Sequence, residues 1–163
     1  MGQMGITTAE RPVVAAALNK AEETNGPAVA IELSNGKIVT GKTSSLLGAS
    51  AAVLLNSLKE LADISDDIDL ISHVIIEPIQ KLKLQHMGNH NPRLHTDEVL
   101  IALSICAATD EMAAKAIDSL AKLKGCEAHS SVILSSVDEN VFRKLGVNIT
   151  YEAKYQTKKL YHN

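Results

Sequence analysis

Residues 27–43 read PAVAIELSNGKIVTGKT, and the Asn35-Gly36 pair near the middle is the strongest constraint in the chain. Both residue types tolerate positive φ, as a two-residue type I′ turn requires, so Asn-Gly between β-forming runs signals a hairpin. Val29, Ile31 and Leu33 alternate on one side and Ile38 continues on the other. The same residues pose a competing reading. Gly36, Gly41, Lys42 and Thr43 satisfy the phosphate-loop pattern G-x-x-x-x-G-K-[ST]. A working phosphate loop wraps its interior backbone around the anion. Here that interior is Lys37, Ile38, Val39 and Thr40, three of them β-branched and stiff at χ1. Such residues favour an extended strand, and Gly36 is already used by the turn. The string is therefore read as the return strand of a hairpin rather than a nucleoside-triphosphate loop.

The second half of the string keeps an anion-binding reading. Lys42, Thr43, Ser44 and Ser45 lead from the strand toward a segment, residues 44–62, that reads as a helix. Free N–H groups, hydroxyls and an ammonium at a helix start suit an anion. Plain N-capping by Thr43 or Ser44 is the bland alternative. The helix carries a run of small residues, Gly48 to Ala52, which permits close approach of a backbone or a ligand.

Elsewhere, Pro12 opens a helix over 11–25 that Gly26-Pro27 stops. DISDDIDLIS reads as a solvated loop entering a short strand, and IIEPIQKLKLQHMG as a helix with Pro78 in its first turn. Thr96 is expected to cap a nearly all-apolar, buried helix beginning DEVLIALSICAA, and Thr109 or Asp110 to start another. CEAHSSVIL reads as a strand, Ser136-x-x-Glu139 as a capping box, and VNITYEAKY as a half-buried strand. This order implies a compact α/β fold: a mixed sheet opened by a hairpin, with helices on its faces. Residues 1–26 form an N-terminal helical segment and 27–163 the α/β domain. With no Trp and one Phe, the core has to be aliphatic.

A net charge of −3 and few aromatic residues exclude a nucleic-acid binder by charge or stacking. No apolar run approaches the ~18–20 residues of a membrane span, and the N-terminus has no signal-peptide pattern. Two cysteines, Cys106 and Cys126, form no disulfide framework, so a reduced cytoplasmic setting is expected. No cofactor is implied. His86, His90 and His95 lack further ligands for zinc, and no metal site is expected. Arg93, His95 and Thr96 form a loop running into a capped helix, suited to a carboxylate or phosphate. Glu127 and His129 share one face of a strand and are candidates for acid–base work, as is His95; a cross-strand polar contact is the alternative. The tail carries Lys154 and Lys158 among tyrosines, either a further anion contact or a solvated end.

The strings IVTGKTSSLLGASAA, NPRLHTDEVLIALSI, KGCEAHSSVILSSVDENVFRKLG and YQTKKLYH together resemble the C-terminal part of an uncharacterised bacterial family, domain of unknown function 1846. The resemblance runs from about Arg11 to the end and departs at His73-Val74, where the family pattern has Pro-Glu. It implies a longer protein with an N-terminal α/β portion, and a layout similar to the cytidine-deaminase-like fold. In deaminases the helix after the hairpin carries a zinc ligand and a catalytic Glu. The corresponding segment here is Gly48-Ala49-Ser50-Ala51-Ala52, with neither, and no Pro-Cys-x-x-Cys occurs. Zinc deamination is therefore not expected. The functional expectation is part of an enzyme binding a phosphorylated or nucleotide-like small molecule, with loops 42–45, 93–98 and 126–130 converging and the N-terminal portion completing the site. The alternative is a structural or homo-oligomerisation module with no activity of its own.

Overall fold

The computed structural model describes residues 11–88 and 91–153. Helix α1 (Pro12–Thr24) precedes the hairpin β1 (Ala28–Glu32) and β2 (Ile38–Lys42). Then come α2 (Ala49–Ala62), α3 (His73–Lys81), a π-helical turn at Leu82–His86, α4 (Thr96–Ala107) and α5 (Glu111–Asp118). After a 3₁₀ turn at Leu120–Leu123, β3 (Glu127–Ser130), α6 (Ser136–Lys144) and β4 (Asn148–Tyr151) close the chain. The sheet order is β2-β1-β3-β4. β1 runs antiparallel to both neighbours, and β3 runs parallel to β4.

Alternation along β1 divides the core. Val29 and Ile31 face α2, with α4 and α5 behind it, whereas Ala30 packs on Val13, Val14 and Ala17 of α1. Short Ala residues on the α1 side suit a closely packed helix. The larger cluster carries the bulky aliphatics and Phe142, which is fully buried.

Several local expectations change. The hairpin loop has three residues, not two: Leu33 pairs with Lys37, and the Gly36 N–H donates to the Leu33 carbonyl at 2.9 Å. Gly36 alone takes positive φ, +87°. Asn35 instead turns its side chain, whose Oδ1 accepts from the Lys37 N–H at 2.9 Å. This is the alternative hairpin solution, a turn followed by one left-handed residue. Helix α2 begins at Ala49, five residues later than read, because Ser44–Gly48 are drawn into contact with residue 94. Pro78 sits well inside α3, which starts at a cap on Ser72, whose Oγ accepts from the Val74 N–H. Leu70 and Ile71 are buried in a loop rather than in the expected strand. The N-caps at α4 and α6 are His95 and Ser135, each one residue before the expected cap. Helix α4 is only half-buried: Val99, Ala102 and Leu103 are in the core, while Ile101 and Ile105 are 62% and 57% exposed.

Candidate functional site

Helices α2, α4 and α6 begin around one cleft. A parallel bridge between Leu47 and Leu94 brings the two approach loops together. The Gly48 N–H donates to the Leu94 carbonyl at 3.2 Å, and the Leu94 N–H to the Leu46 carbonyl at 3.0 Å. Thr43, Ser50, Arg93, His95, Ser130 and Asp138 are among the lining residues. The cleft measures about 80 Å³. That suits a phosphate- or carboxylate-sized group, not a whole small molecule, whose clefts run to ~300–1,000 Å³.

Arg93 enters from the loop before α4. Its Nε donates to the Ser44 carbonyl, which fixes the guanidinium through one edge. Ser44 in turn is folded on itself, its Oγ accepting from the Leu46 and Leu47 N–H groups at 3.2 Å each. Ser50, in the first turn of α2, is 4% exposed and lines the cleft.

His95 and Asp138 form the ionisable centre. The Asp138 Oδ1 accepts from the Thr96 N–H at 3.0 Å and from the Thr96 Oγ1 at 2.7 Å. The Asp138 N–H is capped by the Ser135 Oγ at 3.1 Å. These bonds leave Oδ2 facing the His95 Nδ1 at 3.7 Å, an ion contact longer than a formed hydrogen bond. Interaction with Asp138 holds the His95 pKa above its ordinary value, against burial. Burial pushes the Asp138 carboxyl up, but His95 and Thr96 outweigh it and its pKa is lowered. The His95 N–H donates to Glu98 Oε1 at 2.8 Å. Glu98 also receives the Lys83 Nζ at 2.8 Å, and Lys83 donates to the Arg93 carbonyl at 2.6 Å. Lys83 thus ties the π-helical turn to the start of α4 behind the cleft.

Three of the sequence-derived candidates, Thr43, Arg93 and His95, line the cleft. Thr96 lies fully buried beneath it, bound to Asp138. Lys42 is exposed at the end of β2, and the Ser45 carbonyl accepts from Gln80 at 3.1 Å; neither lines the cleft. Thr43–Ser45 do not open α2, so the helix start expected there is supplied by Gly48–Ser50. Glu127 and His129 lie on the α1 face of β3, away from the cleft. Glu127 pairs with Arg11 at 2.7 Å, while the His129 ring nitrogens meet Thr150 Oγ1 at 2.6 Å and Glu152 Oε2 at 2.7 Å. Each is engaged elsewhere rather than with the other. Lys154, Lys158 and His90 lie outside the described residues. Sequence reasoning missed Asp138 and Ser50 as site residues. Asp138 lies in the first turn of α6, and only its bond to Thr96, 42 residues away, reveals its role. Among the described residues no three His, Cys, Asp or Glu gather to hold a metal, and no helix is long and apolar enough to cross a membrane.

Residues 9–161 match the family model described as Domain of unknown function DUF1846, C-terminal. The chain belongs to this family. Relatives similar to it include a UPF0371 protein of Corynebacterium glutamicum (strain R), 58% identical over 161 residues that are 99% of this chain and 32% of the relative. A UPF0371 protein of Streptococcus pneumoniae (strain CGSP14) is 52% identical over 161 residues, 99% of this chain and 33% of the relative. The chain thus spans about a third of the length of these curated relatives.

Proposed function

We propose that this domain contributes the anion-holding half of a small-molecule site in a cytosolic bacterial enzyme. The ligand is phosphorylated or nucleotide-like, and its phosphate or carboxylate sits among Arg93, His95, Thr43, Ser50 and the first turns of α2 and α6. The observation that carries this reading is the convergence of a guanidinium, an imidazole, two hydroxyl side chains, Thr43 and Ser50, and helix starts on one small cleft. Helix N-termini attract anions, and a guanidinium adds charge-assisted hydrogen bonds. The cleft is too small to enclose such a ligand, so the remainder of the site belongs to the other two-thirds of the longer protein. The deaminase-like layout stays part of the proposal, supported by a hairpin whose return strand packs directly on the following helix. Residues 27–163 are its α/β body.

The test is a heteronuclear NMR titration of the chain with inorganic phosphate, a sugar phosphate and a nucleoside monophosphate. Shifts should concentrate on the amides of Thr43, Gly48–Ser50, Arg93 and Ser135, and Arg93→Ala should weaken binding about tenfold. Absence of shifts at tens of millimolar ligand refutes the reading.

A second reading, an interface module, is favoured by α4. From Val99 to Ala108 that helix carries no charge, yet Ile101 and Ile105 lie exposed. Such a face suits burial against protein. In this reading it docks the remaining portion of the longer protein or a second copy. Light scattering on the purified chain tests the second copy: a strict monomer at high concentration excludes it.

A further inference from the structure

The cleft holds more than positive charge: it contains an Asp–His pair in which the acid is fixed and the imidazole is partly free. Asp138 is held by two donors from Thr96 and by its own capped backbone. Its remaining oxygen faces the His95 Nδ1 at 3.7 Å. The opposite ring nitrogen, Nε2, has no protein partner among the described residues, and the ring lines the cleft beside Arg93 and Ser50. A histidine so arranged has one edge turned to a carboxylate and the other available to a ligand. Protonated, it offers an N–H donor and a charge to an oxyanion; neutral, with its proton on Nδ1 toward Asp138, it would present a lone pair to that anion and repel it.

We propose, building on the anion-site reading above, that the cleft takes its oxyanion together with a proton, carried on His95 and oriented by Asp138. His95 Nε2–H then donates to the bound anion and is the proton source nearest to it. The ligand class is a fully ionised oxyanion: a phosphate or sulfate dianion, or a carboxylate. The charged groups around the ring are consistent with this balance. Asp138 from α6 and Glu98 from α4 favour the imidazolium, whereas Lys83 from the π-helical turn opposes it. Arg93 lines the same cleft. Lys83 is itself paired with Glu98, which leaves Asp138 as the dominant partner. Binding of an anion beside Nε2 adds a second favourable charge and draws the proton on more tightly, as linkage requires.

Sulfate is the suitable probe, because its charge stays constant from pH 5.5 to 9. Its affinity should be flat at low pH and fall about tenfold per pH unit above the His95 pKa. The His95 ring resonance, followed by NMR, should titrate at higher pH in saturating sulfate than without it. His95→Gln should bind weakly and without pH dependence. Asp138→Asn, if folded, should shift the fall in affinity to lower pH. Measurable sulfate binding with no pH slope, or an equal slope in His95→Gln, overturns the proton coupling while leaving the anion site standing. No sulfate binding at any pH removes both. An unfolded Asp138→Asn leaves the decision to His95→Gln and to the wild-type titration, either of which suffices.

Discussion

Gly41→Ala tests how the hairpin and α2 fit together. Gly41 lies on β2 opposite Val29 and is buried. An added Cβ would stand 2.3 Å from the Val53 nitrogen, 2.7 Å from its Cα and 2.9 Å from the Ala49 carbonyl oxygen. All three are backbone atoms of α2, so no flexible side chain can yield; the helix or the strand has to move. Forcing extra volume into a packed core costs about 1–3 kcal/mol and occasionally more. With backbone on every side, the upper end, about 3 kcal/mol, applies. For a chain of this size that corresponds to a fall in Tm of roughly 6–12 °C. Urea unfolding followed by circular dichroism measures it, with Gly26→Ala as control, since nothing lies within 4 Å of a Cβ there and φ is not positive. Gly26→Ala should change stability by less than about 1 kcal/mol. If Gly41→Ala is as stable as wild type within about 0.5 kcal/mol, the close-approach argument is wrong. The same position bears on the phosphate-loop pattern, because a glycine needed for packing against α2 is not held there for a nucleotide.

Other outcomes follow from single contacts. Lys83→Ala removes a cation that is 4% exposed beside Glu98 and the Arg93 carbonyl, and should cost about 2–4 kcal/mol by chemical denaturation; Lys83→Met with Glu98→Gln should recover most of it, because pairing hardly repays desolvation. Phe142→Ala empties the largest fully buried side chain and should cost about 3–5 kcal/mol in the same assay. For the His95–Asp138 contact, a raised His pKa gives stability that is present below about pH 6.5 and lost as pH rises through the folded value, and a lowered Asp pKa gives stability present above about pH 4 and lost below it. The stability difference between wild type and His95→Gln should therefore be largest between about pH 4 and 6.5 and shrink on both sides; a difference that does not vary with pH refutes the ion contact. Ile101→Lys with Ile105→Lys should leave the stability of the isolated chain within about 1 kcal/mol, since both residues are exposed, but should lower the Tm of a full-length relative carrying both changes if the α4 face is covered there.

Local chemistry in the sequence decided much of this molecule. The turn at Ser34–Gly36 and the β-branched run after it made a hairpin and ruled out a phosphate loop, because backbone conformation is strongly set by neighbours of that kind. Pro12 and Gly26-Pro27 bounded α1, and Asp110 capped α5 as its position allowed. The strings shared with the DUF1846 family carried the family assignment, which residues 9–161 bear out. What the sequence left open are matters of distance between remote segments. The start of α2 moved to Ala49 because Leu47 pairs with Leu94, a contact that no local preference encodes. Helix α4 looked fully buried because apolar content says how much surface seeks cover, not what covers it. Glu127 and His129 share a face as alternation required, yet Arg11 and Glu152 take them up separately. The cleft itself exists only in three dimensions. Thr43, Ser50, Arg93, His95 and Asp138 come from four separate stretches, and it is the tertiary fold that turns a threonine, an acidic first-turn residue and a loop histidine into one ionisable site.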